Sequence, residues 1–414
     1  MQLAHWRHEN AEAEQTLQLA YSFPLINTRD VFAPDNPALL QALCRREPDK
    51  RQRLAIFLDS GVAQAMPELC ARIQAYAQRH AQHMEIIGDI IITPGGEACK
   101  NDVQQLWRLL DALAERRIDR HSYALAIGGG AVLDAVGLAA SLFHRGVRHI
   151  RLPATVLAQA DSGVGVKNAI NWNGQKNLLG SFAPPWAVIN DSCFIDSLPP
   201  REKRAGMAEA VKVALIRDAL FFHWLEAQAA HLARFEPCAM SALIERSAHL
   251  HLHQITHGGD PFEHGSARPL DYGHWIAHKL ERLSRHALSH GEAVALGLVL
   301  DARYAVQCGL LAAGEEVRIW RLLRQLGFSL WHAQLAACDA QGRLCLLQGL
   351  EEFREHLGGS LCITLLRGIG QACEVDQIDA QQVLHALHWL ARQEGQDEQA
   401  LPALNGVAER RLAS

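Results

Sequence analysis

Between residues 52 and 195, short β-rich apolar runs alternate with longer helical patterns; past "DSLPPREKR" the alternation stops and helical spacing dominates. Strands separated by helix-length crossovers build a parallel sheet covered by helices, so this alternation restricts the first half of the chain to an α/β architecture. "LAIFLD", "MEIIGDIIITPGG", "YALAIGGG", "HIRLPAT" and "WAVIND" are the strands, "VAQAMPELCARIQAYAQ" reads as an amphipathic helix, and another helix runs from about Asn101 to Glu115. In the second half only "LCITLL" is strand-like. A chain of 414 residues exceeds the ~250–300 at which single cores stop growing. The expected organisation is an N-terminal extension (1–51) with a candidate extra strand in "AYSFPLINTRDVF", an α/β domain with a Rossmann-like parallel sheet (52–197), an all-α C-terminal domain (198–392) and a charged tail (393–414).

Charge and cysteine usage narrow the class of partner. A net charge of −5 with both signs interspersed offers no basic face to nucleic acid and no polybasic run to a membrane. Apolar runs fall short of the ~18 residues that span a bilayer, and "MQLAHWRHENAEAEQ" is polar where a signal peptide is apolar. The ten cysteines never form C-x-x-C, which argues against a thiolate zinc cluster and, in a chain of this length, for reduced core residues. The expectation is a cytoplasmic protein acting on small molecules, with no nucleic-acid or membrane partner.

Four stretches carry chemistry. In "YALAIGGGAVLDAVGLAAS" a strand runs through Gly128, Gly129 and Gly130 into a helix, an arrangement in which backbone N–H groups can hold a pyrophosphate. The spacing is not G-x-G-x-x-G, and such a turn also serves as nothing more than a tight connection. "PATVLAQADSGVGVKNAINWNGQKNLLGSF" places Lys167 and Lys176 nine apart in a glycine-rich segment, suited to phosphate oxygens or equally to a solvated hairpin. "AGMAEAVKVAL" sets Glu209 and Lys212 on one face of an apolar helix, as an ion pair or as a ligand and its neighbour. "DYGHWIAHKLERLSRHALSHGEAV" puts His274 and His278 on one helical face and His290 at the start of the next helix, with His286 as a surface residue. Two imidazoles on successive helices plus one carboxylate from elsewhere would make an open, three-ligand zinc-type site, whereas H-x-x-x-H alone is usually a partly exposed face; no H-E-x-x-H is present.

In order, "GGGAVLDAVG", "RGV", "LPATVLAQADSGVGVK", "QKNLLGSF", "AGMAEAVK", "LDYGHWIAHKLE" and "HGEAVALG" resemble the 3-dehydroquinate synthase family of sugar phosphate cyclases over roughly residues 52 to 375. The resemblance implies an NAD-binding α/β domain, a helical metal- and substrate-binding domain, a divalent metal (zinc or cobalt) and a homodimer. It assigns Glu209, His274 and His290 to the metal, and Asp59, Glu97, Lys100, Gly129, Gly130, Asp134, Thr155 and Lys176 to NAD. It assigns Asp161, Lys167, Asn177, Lys212 and His278 to catalysis and substrate, and Arg145 to the phosphate in the partner subunit. In the implied cycle an alcohol of the sugar phosphate is oxidised, phosphate leaves by β-elimination, the ketone is reduced again, and the opened ring closes by intramolecular aldol addition.

The chain departs from the family where a substrate carboxylate is recognised. The family's lysine upstream of the metal histidines falls near His251 or His253, and R-x-x-L-N-x-G-H becomes "RPLDYGH", with Arg268 one residue out of register and Asp271 in place of asparagine. The D-K-K lysines fall on "FREHLGG", leaving Arg354 and His356 as substitutes, and "GGKT" becomes "GVKN" with Val166 and Asn168. An aspartate repels a nearby carboxylate. The expected substrate is therefore a seven-carbon sugar 7-phosphate with an uncharged head, sedoheptulose 7-phosphate, cyclised with phosphate loss. The alternatives are 3-deoxy-arabino-heptulosonate 7-phosphate, as in a true 3-dehydroquinate synthase, and, from another class, a metal-dependent polyol dehydrogenase that releases NADH.

Overall fold

A computed structural model describes residues 20–258, 262, 269–356 and 361–396. Strands β1 (Leu25–Thr28), β2 (Gln52–Asp59), β3 (Met84–Ile86), β4 (Ile91–Thr93), β5 (Tyr123–Gly128), β6 (Arg148–Pro153), β7 (Lys167–Trp172), β8 (Gln175–Phe182) and β9 (Ala187–Asp191) lie in the first half. Seven of them form one parallel sheet in the order β1-β9-β6-β5-β2-β3, with β4 also pairing β2. Helices cover both faces, so the central strands are buried on both sides: β5 has no exposed residue, and β2 is buried at all but one position. The candidate strand in the N-terminal extension is β1, which pairs with β9 at the sheet edge.

Two apolar segments that read as single elements are divided. "VAQAMPELCARIQAYAQ" is split between helices Ser60–Ala65 and Leu69–Arg79, because Met66 precedes Pro67 and is driven out of helical geometry (φ −130°, ψ 72°). "MEIIGDIIITPGG" is divided into β3 and β4 around Gly88, which has φ +70°. The helix expected from Asn101 begins at Val103, where the Asp102 side chain caps it by accepting from Gln104 N–H.

The glycine-rich segment after β6 ends in an antiparallel hairpin, β7–β8, separate from the main sheet. Asn173 and Gly174 both have positive φ (49° and 76°), the backbone that a two-residue hairpin turn requires.

From Pro200 onward the chain is helical except for the hairpin of β10 (Ile363–Gly368, the strand-like "LCITLL" region) and β11 (Gln371–Val375). The helix Pro200–Arg217 is buried along every side from Ala205 to Ile216. Glycines let its neighbours approach backbone to backbone. A Cβ on Gly206 would lie 2.3 Å from Leu157 N, and one on Gly291 would lie 1.9 Å from the Ala205 carbonyl oxygen. Gly291 opens the helix His290–Gln307, which starts with a Ser289/Glu292 capping box. These close approaches bring Glu209 and His290, far apart in the chain, to one place. Among the described residues no helix is long and apolar enough to cross a membrane.

Candidate functional site

Glu209, His274 and His290 converge. Glu209 Oε1 lies 3.1 Å from His290 Nε2 and 3.7 Å from His274 Nε2, and one ligand atom from each residue falls within 4.8 Å of the others. Tetrahedral zinc with bonds of ~2.1 Å needs ligand atoms about 3.4 Å apart, close to the spacing present. The ring orientations fit as well. His274 Nδ1 is 3.1 Å from the Tyr272 carbonyl oxygen and His290 Nδ1 is 3.3 Å from Glu281 Oε2, so with a metal in place each ring would donate from Nδ1 and offer Nε2 as the ligand atom. Burial lowers the His290 pKa, but the carboxylates of Glu209 and Glu281 outweigh it and raise it to about 10: the site attracts a cation, proton or metal. The donor set fits a divalent ion.

The second carboxylate oxygen of Glu209 is engaged elsewhere: Lys212 Nζ lies 2.5 Å from Oε2, with both side chains buried. The ion pair is therefore present on one oxygen, and it leaves the other oxygen facing the two imidazoles. Burial opposes the charge on Lys212, yet Asp161 and Glu209 together raise its pKa above the ordinary lysine value. Asp161 is in turn held far below the usual carboxylate range: burial works against its charge, but Lys212, His251 and His274 prevail. His251 Nδ1 is 2.7 Å from Asp161 Oδ1, which settles which of the two candidate histidines reaches the cleft; His253 is exposed and stacks on His257 instead.

Asp271 sits at the entrance to the His274 helix. Gly273 adopts φ +79°, and its N–H donates to Asp301 Oδ2 (3.1 Å) while Trp275 Nε1 donates to Oδ1 (3.0 Å), fixing the turn between Asp271 and His274. Burial pushes the Asp271 carboxyl up, but His274, Lys167, His278 and Lys212 outweigh it and keep it ionised. His278 stands one turn from His274, its side chain exposed and its ring 5.4 Å from that of His274.

The residues assigned to NAD form two groups. Asp59 ends β2 and Gly128 ends β5, at the point where the chain crosses over to opposite sides of the sheet, the crevice in which open α/β sheets take ligands. Asp59 accepts from Gly61 N–H at 2.7 Å, and a Cβ on Gly95 or Gly128 would collide with it. A Cβ on Gly130 would lie 2.6 Å from the Ser162 hydroxyl, which is buried beside the start of this helix with no hydrogen-bond partner. Thr155 closes the same edge, 3.4 Å from a Cβ on Gly129. The buried Ser162 hydroxyl, without a hydrogen-bond partner among the described residues, is a polar group that a dinucleotide held at this edge would satisfy. The second group lies against the hairpin: Lys100 Nζ donates to Asp134 (2.7 Å) and Asn177 (2.5 Å), and Asn171, absent from the sequence assignment, donates to Glu97 (2.8 Å). Asn177 thus stands with the cofactor group, away from Lys212.

Lys176 joins the two regions, 3.9 Å from Glu97 and 2.8 Å from Glu281. Glu281 closes the motif "LDYGHWIAHKLE" but carries no assigned role, yet it is buried and links the hairpin lysine to His290. Its position seven residues after His274 and three after His278 on one helix was the available sign. We expect Glu281→Gln to weaken metal binding ~10–100-fold with the three ligands intact, read by competition with a chelating dye.

Three assigned residues stand apart. Arg145 is exposed, at the far end of the helix Gly130–Leu142. Arg354 is exposed and bonds Glu351 on its own helix at 2.7 Å. Arg268 lies outside the described residues, as does most of "THGGDPFEHGSARP".

A profile of the 3-dehydroquinate synthase N-terminal region matches residues 90–205 and one of the C-terminal region matches 206–345. The chain is 35% identical over 357 residues to the 3-dehydroquinate synthase of Xanthomonas campestris pv. campestris (strain 8004), covering 85% of this chain and 93% of that protein. Its fold is similar to that of ValA, the 2-epi-5-epi-valiolone synthase of Streptomyces hygroscopicus subsp. jinggangensis 5008, solved with NAD+ and Zn2+ (TM-score 0.80, 28% identity, 92% of this chain and 100% of that one). It also resembles in fold a 2-deoxy-scyllo-inosose synthase complexed with carbaglucose-6-phosphate, NAD+ and Co2+ (TM-score 0.69, 23% identity, 85% and 91%). The chain belongs to the 3-dehydroquinate synthase family, enzymes that act as lyases on sugar phosphates.

Proposed function

We propose that this enzyme uses NAD and a zinc or cobalt ion to convert a seven-carbon sugar 7-phosphate lacking a carboxylate, sedoheptulose 7-phosphate, to a cyclic ketone with loss of phosphate. The observation that carries this reading is Asp271: an ionised carboxylate beside His274 and within the field of Lys167 and Lys212 accepts hydrogen bonds from hydroxyls and repels a substrate carboxylate. His251 supports it, since a histidine committed to Asp161 is a poorer carboxylate anchor than a free lysine. The likeness to ValA points the same way.

Glu209, His274 and His290 would hold the metal, and the cradle from Asp59 to Thr155 with the Lys100 group would hold NAD; these supply Lewis acidity and a reversible hydride acceptor. Lys167 and His278 take the phosphate. Lys212, kept protonated between Asp161 and Glu209, faces the reacting oxygens with three N–H donors. Asp161 holds that ammonium in place, and Asp271 orients the sugar head. The reading places the reaction in the cytoplasm.

The 35% identity to curated 3-dehydroquinate synthases supports a second reading, in which the carboxylated 3-deoxy-arabino-heptulosonate 7-phosphate is the substrate. Phosphate release from each compound by the NAD- and metal-loaded protein decides between them. Faster turnover of the carboxylated compound would sink the first reading, and net NADH accumulation at the expense of phosphate release would replace both with a dehydrogenase.

The same reading makes the enzyme a homodimer in which Arg145 serves the partner's phosphate. Leu142, three residues before Arg145, is exposed, as are Leu178, Leu179 and Phe182 on β8, and a dimer would cover such apolar side chains. Sedimentation as a monomer at micromolar concentration would contradict this.

A further inference from the structure

Arg151, on β6, is fully buried, and its four described hydrogen bonds include no carboxylate. Its guanidinium donates to the carbonyl oxygens of Gly163 (3.1 Å), Gly165 (2.8 Å) and Lys167 (3.1 Å) and to Asn168 Oδ1 (2.7 Å). Three of these acceptors lie in the segment that runs from Asp161 to Lys167, and the fourth, Asn168, is the next residue, on β7. Buried carbonyls off the sheet ladder need donors, and a planar fork of five N–H groups is the side chain best able to satisfy several from one fixed point. Burial lowers the Arg151 pKa to about 10, which leaves it charged at neutral pH.

Asn168 is built around this contact. It is 2% exposed, and its Nδ2 donates to the Ala183 carbonyl oxygen at 3.2 Å, at the far end of the hairpin. A Cβ on Gly137 would stand 1.8 Å from Asn168 Oδ1, so the helix that begins at the glycine turn leaves room for this side chain. In sequence Asn168 marked a departure at a substrate motif; in the structure it faces the interior.

We propose that Arg151, through Asn168 and the three carbonyls, is a positioning residue that sets the conformation of the Asp161–Lys167 segment and thereby the affinity of Lys167 for a phosphate dianion. Asn168 is then present for Arg151 and does not contact substrate. The inference rests on the proposed function only in taking Lys167 as the phosphate group's partner.

The test compares Asn168→Leu, which removes the acceptor, with Asn168→Asp, which keeps an oxygen at the same place, in the NAD- and metal-loaded full chain. Inorganic phosphate is the binding probe, measured by calorimetry. Asn168→Leu should raise the phosphate Kd and the sugar phosphate KM together by about tenfold to 100-fold, as a misplaced binding group does. Its kcat and NAD affinity should stay within about threefold of the parent, and amide hydrogen exchange in residues 162–168 should accelerate. Asn168→Asp should restore phosphate affinity and slow exchange. Arg151→Met should show the larger defect where it folds; the Asn168 pair decides the matter where it does not. An unchanged phosphate Kd in Asn168→Leu overturns the proposal, as does an Asn168→Asp variant equally defective, an equal loss of NAD affinity, or a parent protein that does not bind inorganic phosphate. A parent that binds phosphate but releases none from either sugar phosphate refutes the proposed function, while the affinity and exchange comparisons still judge Arg151.

Discussion

Replacing Glu209 with glutamine is expected to strip the metal, abolish turnover and lower stability in one step, because the two oxygens of this carboxylate do different work. Oε1 faces the Nε2 atoms of His274 and His290, and Oε2 lies against Lys212 Nζ with both side chains buried. Glutamine keeps the volume but carries no charge, and it must point an amide N–H₂ either at the ammonium or at the imidazole lone pairs. Breaking a buried ion pair from one side costs about 3–5 kcal/mol; Asp161, which also raises the Lys212 pKa, should hold the loss toward the lower end of that range. A metal is worth several kcal/mol in transition-state charge stabilisation, so turnover should fall at least ~1,000-fold. Metal content by mass spectrometry, phosphate release and urea unfolding read the three effects separately. A Glu209→Gln protein that kept stoichiometric metal and normal turnover would remove this carboxylate from the site.

The sheet was legible because parallel strands buried on both faces must be continuous apolar runs: "YALAIG" is buried at every residue, and its strand length and the glycine turn that bounds it separate it from a buried helix. Helical spacing showed that His274 and His278 share a face. It could not show that Glu209, 65 residues before His274, would join them, since that depends on Gly291 meeting the backbone of Ala205 and Gly297 meeting that of Gly273. The resemblance to a family supplied what periodicity could not. Two buried charges escaped both. Glu281 in "HKLERL" looks like any solvent-facing acid until the hairpin delivers Lys176 to it. Arg151 in "HIRLPAT" is a charged residue inside a core strand, an anomaly whose explanation lies 12 to 17 residues downstream, in carbonyls that no side-chain pattern reveals. Asn168 was visible as a departure but was legible only as a change near the substrate; its partner is the buried guanidinium.

Exchanging Asp271 for asparagine should move the enzyme's preference from the uncharged sugar phosphate toward the carboxylated one. Basic groups around it, Lys167 and Lys212 among them, hold the Asp271 carboxyl below its ordinary range against the effect of burial, so under the proposed function it presents a charged acceptor to the sugar. A hydrogen bond from a substrate hydroxyl to a charged group contributes about 1.5–3 kcal/mol, and its loss should lower kcat/KM for sedoheptulose 7-phosphate roughly tenfold to 100-fold. Two unit charges 5 Å apart at an effective dielectric of about 20 repel by ~3 kcal/mol, less with these cations alongside, so the carboxylated heptulosonate should gain by about the same factor. The ratio of the two kcat/KM values is the informative quantity, because any damage the substitution does to His274 or to metal retention acts on both substrates and cancels. Metal content measured in parallel checks that it does. A ratio unchanged in Asp271→Asn would mean that this carboxylate orients His274 and Lys212 without meeting the sugar, and the choice of substrate would then fall to His251, another position at which this chain departs from its family and the one whose imidazole is already held by Asp161.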